Sequence, residues 1–145
     1  MIQLLYNTLN SFYLDLYDKW TNKSTIGTVR PLIGVTNLET NNTKYVIASA
    51  MEWTYKNRYI RLKIQPSTID APTLGIIKLG NKDNPFGLYK ITIYENNTNS
   101  NTDVANVVGV LWEGLMNLKT NNNPAIAYTE YSDEQTAKVY LTNTL

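Results

Sequence analysis

The sequence contains no cysteine and no histidine. The first absence excludes disulfide scaffolds, thiolate metal sites and cysteine nucleophiles together. It also fits a reducing compartment, or a particle assembled in one. The second absence removes the commonest general base, proton shuttle and metal ligand, and with it serine–histidine triads and the usual zinc sites. No run approaches the roughly 18 apolar residues that a membrane-crossing helix needs. The opening "MIQLLYNTLNSFYLDLYDKW" has no basic start, and Asn7, Asn10 and Asp15 interrupt its apolar residues, which is not the pattern of a secretory signal. A charge excess is lacking too. Lys+Arg 13 against Asp+Glu 12 leaves a net charge of +1, which speaks against a dominant phosphate-binding surface.

What the chain has in quantity is uncharged polarity: 19 Asn and 18 Thr, with 11 Tyr and 3 Trp. Such residues suit loops and sheet faces and fit exposed helices poorly. Period-two alternation dominates. It runs through "SFYLDLYDKW", "NRYIRLKIQ" and "GLYKITIYE", and marks strands with one buried and one wetted face. "RPLIGVTNLE", "KYVIASAMEW", "GIIKLG", "GVLWEGLMNL" and "AKVYLTNT" read as further strands, with Gly114 marking a bulge or a close approach in mid-strand. Turn-forming clusters such as "TNKST", "TNNTK", "GNKDNPFG" and "TNNNP" separate them. Helical content is confined to single turns, at "STIDAPT" or at "TDVANVV", where Asp103 can cap. The expectation is an all-β chain: one antiparallel β-sandwich, immunoglobulin-like or jelly-roll-like, of about eight to ten strands over residues 1–145. Its expected core is Ile60, Leu62, Ile64, Ile91, Ile93, Val110, Trp112, Val139 and Leu141.

Four stretches invite a chemical reading. The loop "NNTNSNTD" alternates oxygen-bearing side chains, but only Glu95 and Asp103 are acidic, too few for a calcium loop, so a surface connection is preferred. Glu52, Glu95 and Glu113 share no spacing that would pair them for glycoside hydrolysis, and rim positions are expected for them. Lys56, Arg58, Arg61 and Lys63, with Tyr55 and Tyr59 interleaved, have the composition of a single-strand nucleic-acid face, but equally that of a solvated strand, which is preferred. Three N-x-S/T triplets begin at Asn22, Asn41 and Asn96; Asn and Thr are abundant enough for these to arise by chance. No catalytic set, cofactor or metal is expected, and the chain is read as a non-enzyme.

The segment "FGLYKITIYENNTNSNTDVANVVGVLWEGLMNL" resembles a pattern in small virion proteins of tailed bacteriophages, notably crAss-like and related phages of Bacteroidetes. That pattern is a glycine–aromatic start, a strand ending in Tyr-Glu, a Ser/Thr/Asn loop closing on aspartate, and a strand with Glu-x-Gly or a close variant. Here it falls on Gly87, Tyr89, Tyr94, Glu95, the loop 96–102, Asp103 and Glu113-Gly114, with Val104 where the pattern has proline. "FYLDLYDKWT", "LIGVTNLETNNTKYVIA" and "RYIRLKIQ" are similar to the same proteins, and the resemblance covers most of residues 10–142. It implies a virion subunit assembled in the host bacterial cytoplasm. The first expectation is an auxiliary protein on the capsid, partnered by the major capsid protein or by its own copies in a symmetric array. The second is a neck or head–tail connector ring, partnered by portal or neck proteins. Neither membrane nor specific nucleic acid is expected as a partner. From another class, the exposed aromatics suit a carbohydrate-binding module. The expected contact residues are Tyr59, Tyr94, Asn96, Asn97, Thr98, Asn99, Asn101 and Asp103.

Overall fold

The computed structural model describes residues 1–55 and 59–120. These form nine strands: β1 (Ile2–Leu5), β2 (Asn10–Leu14), β3 (Leu32–Asn37), β4 (Thr43–Ile47), β5 (Ala50–Tyr55), β6 (Tyr59–Ser67), β7 (Ile76–Lys78), β8 (Gly87–Glu95) and β9 (Gly109–Lys119). The only helical elements among them are three-residue 3-10 turns, at Lys23–Thr25, Pro72–Leu74 and Val104–Asn106. The chain is therefore all-β, as its alternation predicts. A five-stranded sheet runs β1-β9-β8-β3-β4, and a second sheet runs β2-β6-β5 with β7 added to β6. Most neighbours are antiparallel, but β1 joins β9 and β7 joins β6 in parallel, so both sheets are mixed. Both parallel pairs use strands of three or four residues, which tertiary placement positions and local hairpins cannot.

Each sheet turns its alternating apolar face inward to a shared core. Phe12, Leu14, Ile60, Leu62 and Ile64 from one sheet meet Leu4, Ile33, Val35, Ile91, Ile93 and Leu118 from the other. Of the expected core, Ile60, Leu62, Ile64, Ile91 and Ile93 are fully buried. Val139 and Leu141, with the expected strand "AKVYLTNT", lie outside the described residues. Val110 is a correction: it stands 48% exposed, while Leu111 beside it is 2% exposed. The cause is a bulge. Register passes from Ile93↔Trp112 to Tyr94↔Val110, leaving Leu111 as the extra residue that turns inward. Trp112 stays half-buried at the margin of the core.

Three other departures are local. "KYVIASAMEW" is two strands, because the chain crosses from one sheet to the other at Ala48–Ser49. The strand in "SFYLDLYDKW" stops at Leu14, although Leu16 and Trp20 still reach the core. Ile2–Leu5, read only for its lack of a secretory pattern, is a strand. Gly114 does mark a close approach: a Cβ there would sit 2.3 Å from the Trp112 ring, so the indole lies folded across the glycine. The bulge itself lies earlier, at Leu111.

Candidate interaction surface

The connection from β8 to β9 begins with a buried charge. Glu95 ends β8 at 1% exposure. Its Oε1 accepts from the Thr21 amide at 2.7 Å and its Oε2 from the Asn22 amide at 3.0 Å. A carboxylate taken out of water needs charge-assisted partners of this kind. The rim position expected for Glu95 is therefore corrected: it clamps the 21–22 turn to the end of the five-stranded sheet. Its carbonyl accepts from the Val108 amide at 2.8 Å, closing the loop.

The loop wires itself. Asn96 is 1% exposed. Its Oδ1 accepts from the Asn97 amide and from Asn101 Nδ2, and its own Nδ2 donates to the Asn101 carbonyl, all at 2.8–2.9 Å. Asn101 Oδ1 accepts from the Asp103 amide at 3.1 Å. Asp103 Oδ1 accepts from the Ala105 amide at 2.9 Å and so caps the Val104–Asn106 turn, as its sequence position predicts. Asn99 reaches away from the loop: Oδ1 accepts from the Arg30 amide at 2.7 Å and Nδ2 donates to the Thr28 carbonyl at 2.8 Å. Thr98 and Ser100 share a hydroxyl contact at 3.2 Å. Hence Asn97, Thr98, Asn99 and Ser100 are exposed on an ordered loop, while Asn96 faces inward and offers no surface to a partner or to a modifying enzyme.

Tyr94 and Tyr59 do not belong to one patch. Tyr94 lies on the outer face of the five-stranded sheet, half-buried, its ring 6.5 Å from that of Tyr45. Both rings cover Gly34, where a Cβ would come within 2.9 Å of Tyr45 and 3.3 Å of Tyr94. Burial, and next the neighbouring Tyr45 phenol, push the Tyr94 hydroxyl above the ordinary tyrosine value of 10.0. Tyr59 is on the outer face of the other sheet and meets Tyr13 edge-to-face at 5.8 Å, with exposures of 44% and 60%. Close by, Arg61 and Lys63 both pair with Glu52. Those cations hold the Glu52 carboxyl below the usual carboxylate range, Arg61 contributing most. The two described basic residues of this strand thus share one carboxylate, which offsets half of their charge, while Lys56 and Arg58 lie outside the described residues. Glu113 is exposed, 3.9 Å from Lys90. Among the described residues, no group of three or more acidic side chains is placed to hold a metal ion.

Sequence reasoning passed over Gly34, Tyr45 and the Glu95 clamp. The Glu95 donors are 73 and 74 residues away in the chain, so no local pattern announces them. Comparison with protein-family models, with curated proteins and with solved structures gives no match to this chain.

Proposed function

We propose that this chain is a non-enzymatic structural protein of a tailed-phage virion, an auxiliary protein bound to the capsid surface. The observation that carries the reading is the unit from Gly87 to Gly114. The stretch that resembles phage virion proteins coincides with one hairpin, β8–loop–β9, whose loop holds Asn97, Thr98, Asn99 and Ser100 outward on an internal hydrogen-bond frame. Uncharged polar groups are less costly to desolvate against a partner than Lys or Glu. A loop already ordered loses less conformational entropy on binding.

Mass spectrometry of purified particles tests this directly. A copy number comparable to the major capsid protein supports the capsid reading, a copy number matching a single ring supports a neck connector, and absence from particles overturns both. Charged substitutions at Asn97 and Thr98 are expected to block incorporation and leave the isolated fold intact; full occupancy by that variant would exclude the loop as the contact. The exposed Tyr13–Tyr59 pair favours a second reading, a carbohydrate-binding module. A glycan array without binding above background removes it.

A further inference from the structure

Between Leu14, where β2 ends, and Leu32, where β3 begins, the chain runs as a strap that contains no strand, only the 3-10 turn Lys23–Thr25. The Trp20, Thr25, Ile26, Thr28 and Val29 amides all donate to carbonyls within the strap. Lys23 Nζ donates to two more of its carbonyls, those of Tyr17 and Trp20, both at 2.8 Å. Such bonds fold the strap locally and fasten it to neither sheet. Three of its side chains enter the core: Leu16, Trp20 and Ile26, at 0%, 1% and 6% exposure. The front of the strap stands off the five-stranded sheet, where a cleft of about 610 Å3 opens between Asp15, Asp18 and Lys19 and residues 110–113 of β9. The back is gripped from outside, and both grips come from the β8–β9 connection. Glu95 holds the Thr21 and Asn22 amides, and Asn99 holds the Arg30 amide and the Thr28 carbonyl. Beyond them, Arg30 Nη1 moors the far end to the Ala48 and Ser49 carbonyls at 2.9 and 3.3 Å.

We infer that residues 15–29 open and close as one latched strap, hinged at Leu14 and Arg30, with Glu95 and Asn99 as the latch. A segment that bonds to itself, and is fastened elsewhere by three apolar side chains and two residues of one loop, belongs to the low end of the range of local opening free energies. The sheets, held by continuous ladders, stay closed when it opens. Opening exposes Trp20 and the part of the core beneath it. The two latch residues differ in access: Glu95 is buried, whereas Asn99 is exposed on the loop. Strap and loop are therefore coupled, and coupling is reciprocal. Whatever fixes the loop holds the strap shut, and a seated strap favours, by the same factor, whatever binds the ordered loop. Where Asn97–Ser100 meets a neighbouring subunit, docking holds the strap closed over the core. That consequence rests on the function proposed above; the latch itself does not.

The isolated full chain, without any partner, is the sample for the test. Native-state hydrogen exchange is read at the Trp20, Thr21, Asn22, Thr25 and Thr28 amides, with Ile33 and Val35 of β3 as the reference for the sheets. The strap amides are expected to share one opening free energy, lower than that of β3. Asn99→Ala removes two hydrogen bonds and is expected to speed exchange of the whole set by roughly tenfold. That set includes Thr21 and Asn22, whose amides are held by Glu95, and β3 is expected to keep its protection. The lack of cysteine supplies a second readout. A thiol introduced as Ile26→Cys reacts with a labelling reagent when the strap opens, and Asn99→Ala is expected to speed that reaction by the same factor. A thiol introduced as Val35→Cys, in the sheet, is expected to react at a rate that Asn99→Ala leaves unchanged. A response confined to residues 28–30 would make Asn99 a local contact and overturn the inference. Strap and β3 amides that exchange at one free energy, or accelerate together, would make the opening global and overturn it equally.

Discussion

The loop after β8 and the edge of β9 that follows it are adjacent in sequence and built in opposite ways. The loop is almost entirely Asn, Thr and Ser, the composition of a loose connection, yet Asn96, Asn99, Asn101 and Asp103 each bind backbone or a neighbouring side chain. That stretch of β9, "GVLWEGL", is mostly apolar with one charge at Glu113, closer to the composition of a core strand, yet Val110 and Leu115 stand nearly half exposed. An amide side chain carries both donors and an acceptor, so a cluster of asparagines can satisfy itself. A strand edge cannot, because its partner must come from elsewhere. Polarity of composition is therefore a poor guide to local order.

The bulge offers the largest test of this contrast. Leu111→Ala is expected to lower stability by about 2–5 kcal/mol, whereas Val110→Ala next to it stays within roughly 0.5 kcal/mol. Urea unfolding of the two variants decides it; equal losses would mean that the bulge is misplaced. Next in size is the clamp. Glu95→Ala strands the Thr21 and Asn22 amides and is expected to cost about 2–3 kcal/mol, with Glu95→Gln recovering part of that. An unchanged midpoint in denaturant would show the turn to be held by other means.

Smaller effects belong to the loop. Asn96→Ala removes the acceptor and donor that organise Asn97 and Asn101, for an expected loss of about 1–2 kcal/mol. Asn97→Ala, on the exposed side, is expected to fall within about 0.5 kcal/mol. If both variants were neutral, the loop would be as loose as its composition reads. The smallest effect is at Tyr94. Its folded-state pKa is raised above the unfolded value of 10.0. The linked stability is thus fully present below that value and is lost as pH rises through the folded pKa. In a phenolate absorbance titration, Tyr94→Phe is expected to remove a late-ionising component; a component lost at the ordinary position would mean that the face over Gly34 is open to water.

How much was legible follows the range of the interactions. β8 was read to the residue, Gly87–Glu95, because its alternation is uninterrupted and its turn signals are local. The Asp103 cap was legible for the same reason, since donor and acceptor lie two residues apart. The contact candidates were legible only as a stretch: composition marks 96–103 as a loop but carries no sign of which asparagine turns inward. Tyr59 and Tyr94 shared an outer-face pattern, and nothing in that pattern says that the faces belong to different sheets.

Residues alone determined that this protein is all-β, where most of its strands run, which side chains in β6 and β8 face the core, and which chemistries have no side chains to perform them. Each depends on spacing within a few residues or on composition. Tertiary structure alone decided that Ile2–Leu5 lies parallel to the end of β9, that Leu111 rather than Val110 fills the core, and that Glu95 is buried on a turn more than 70 residues earlier in the chain. These are pairings between distant segments. A backbone donor carries no label for its partner until the chain has brought the two together.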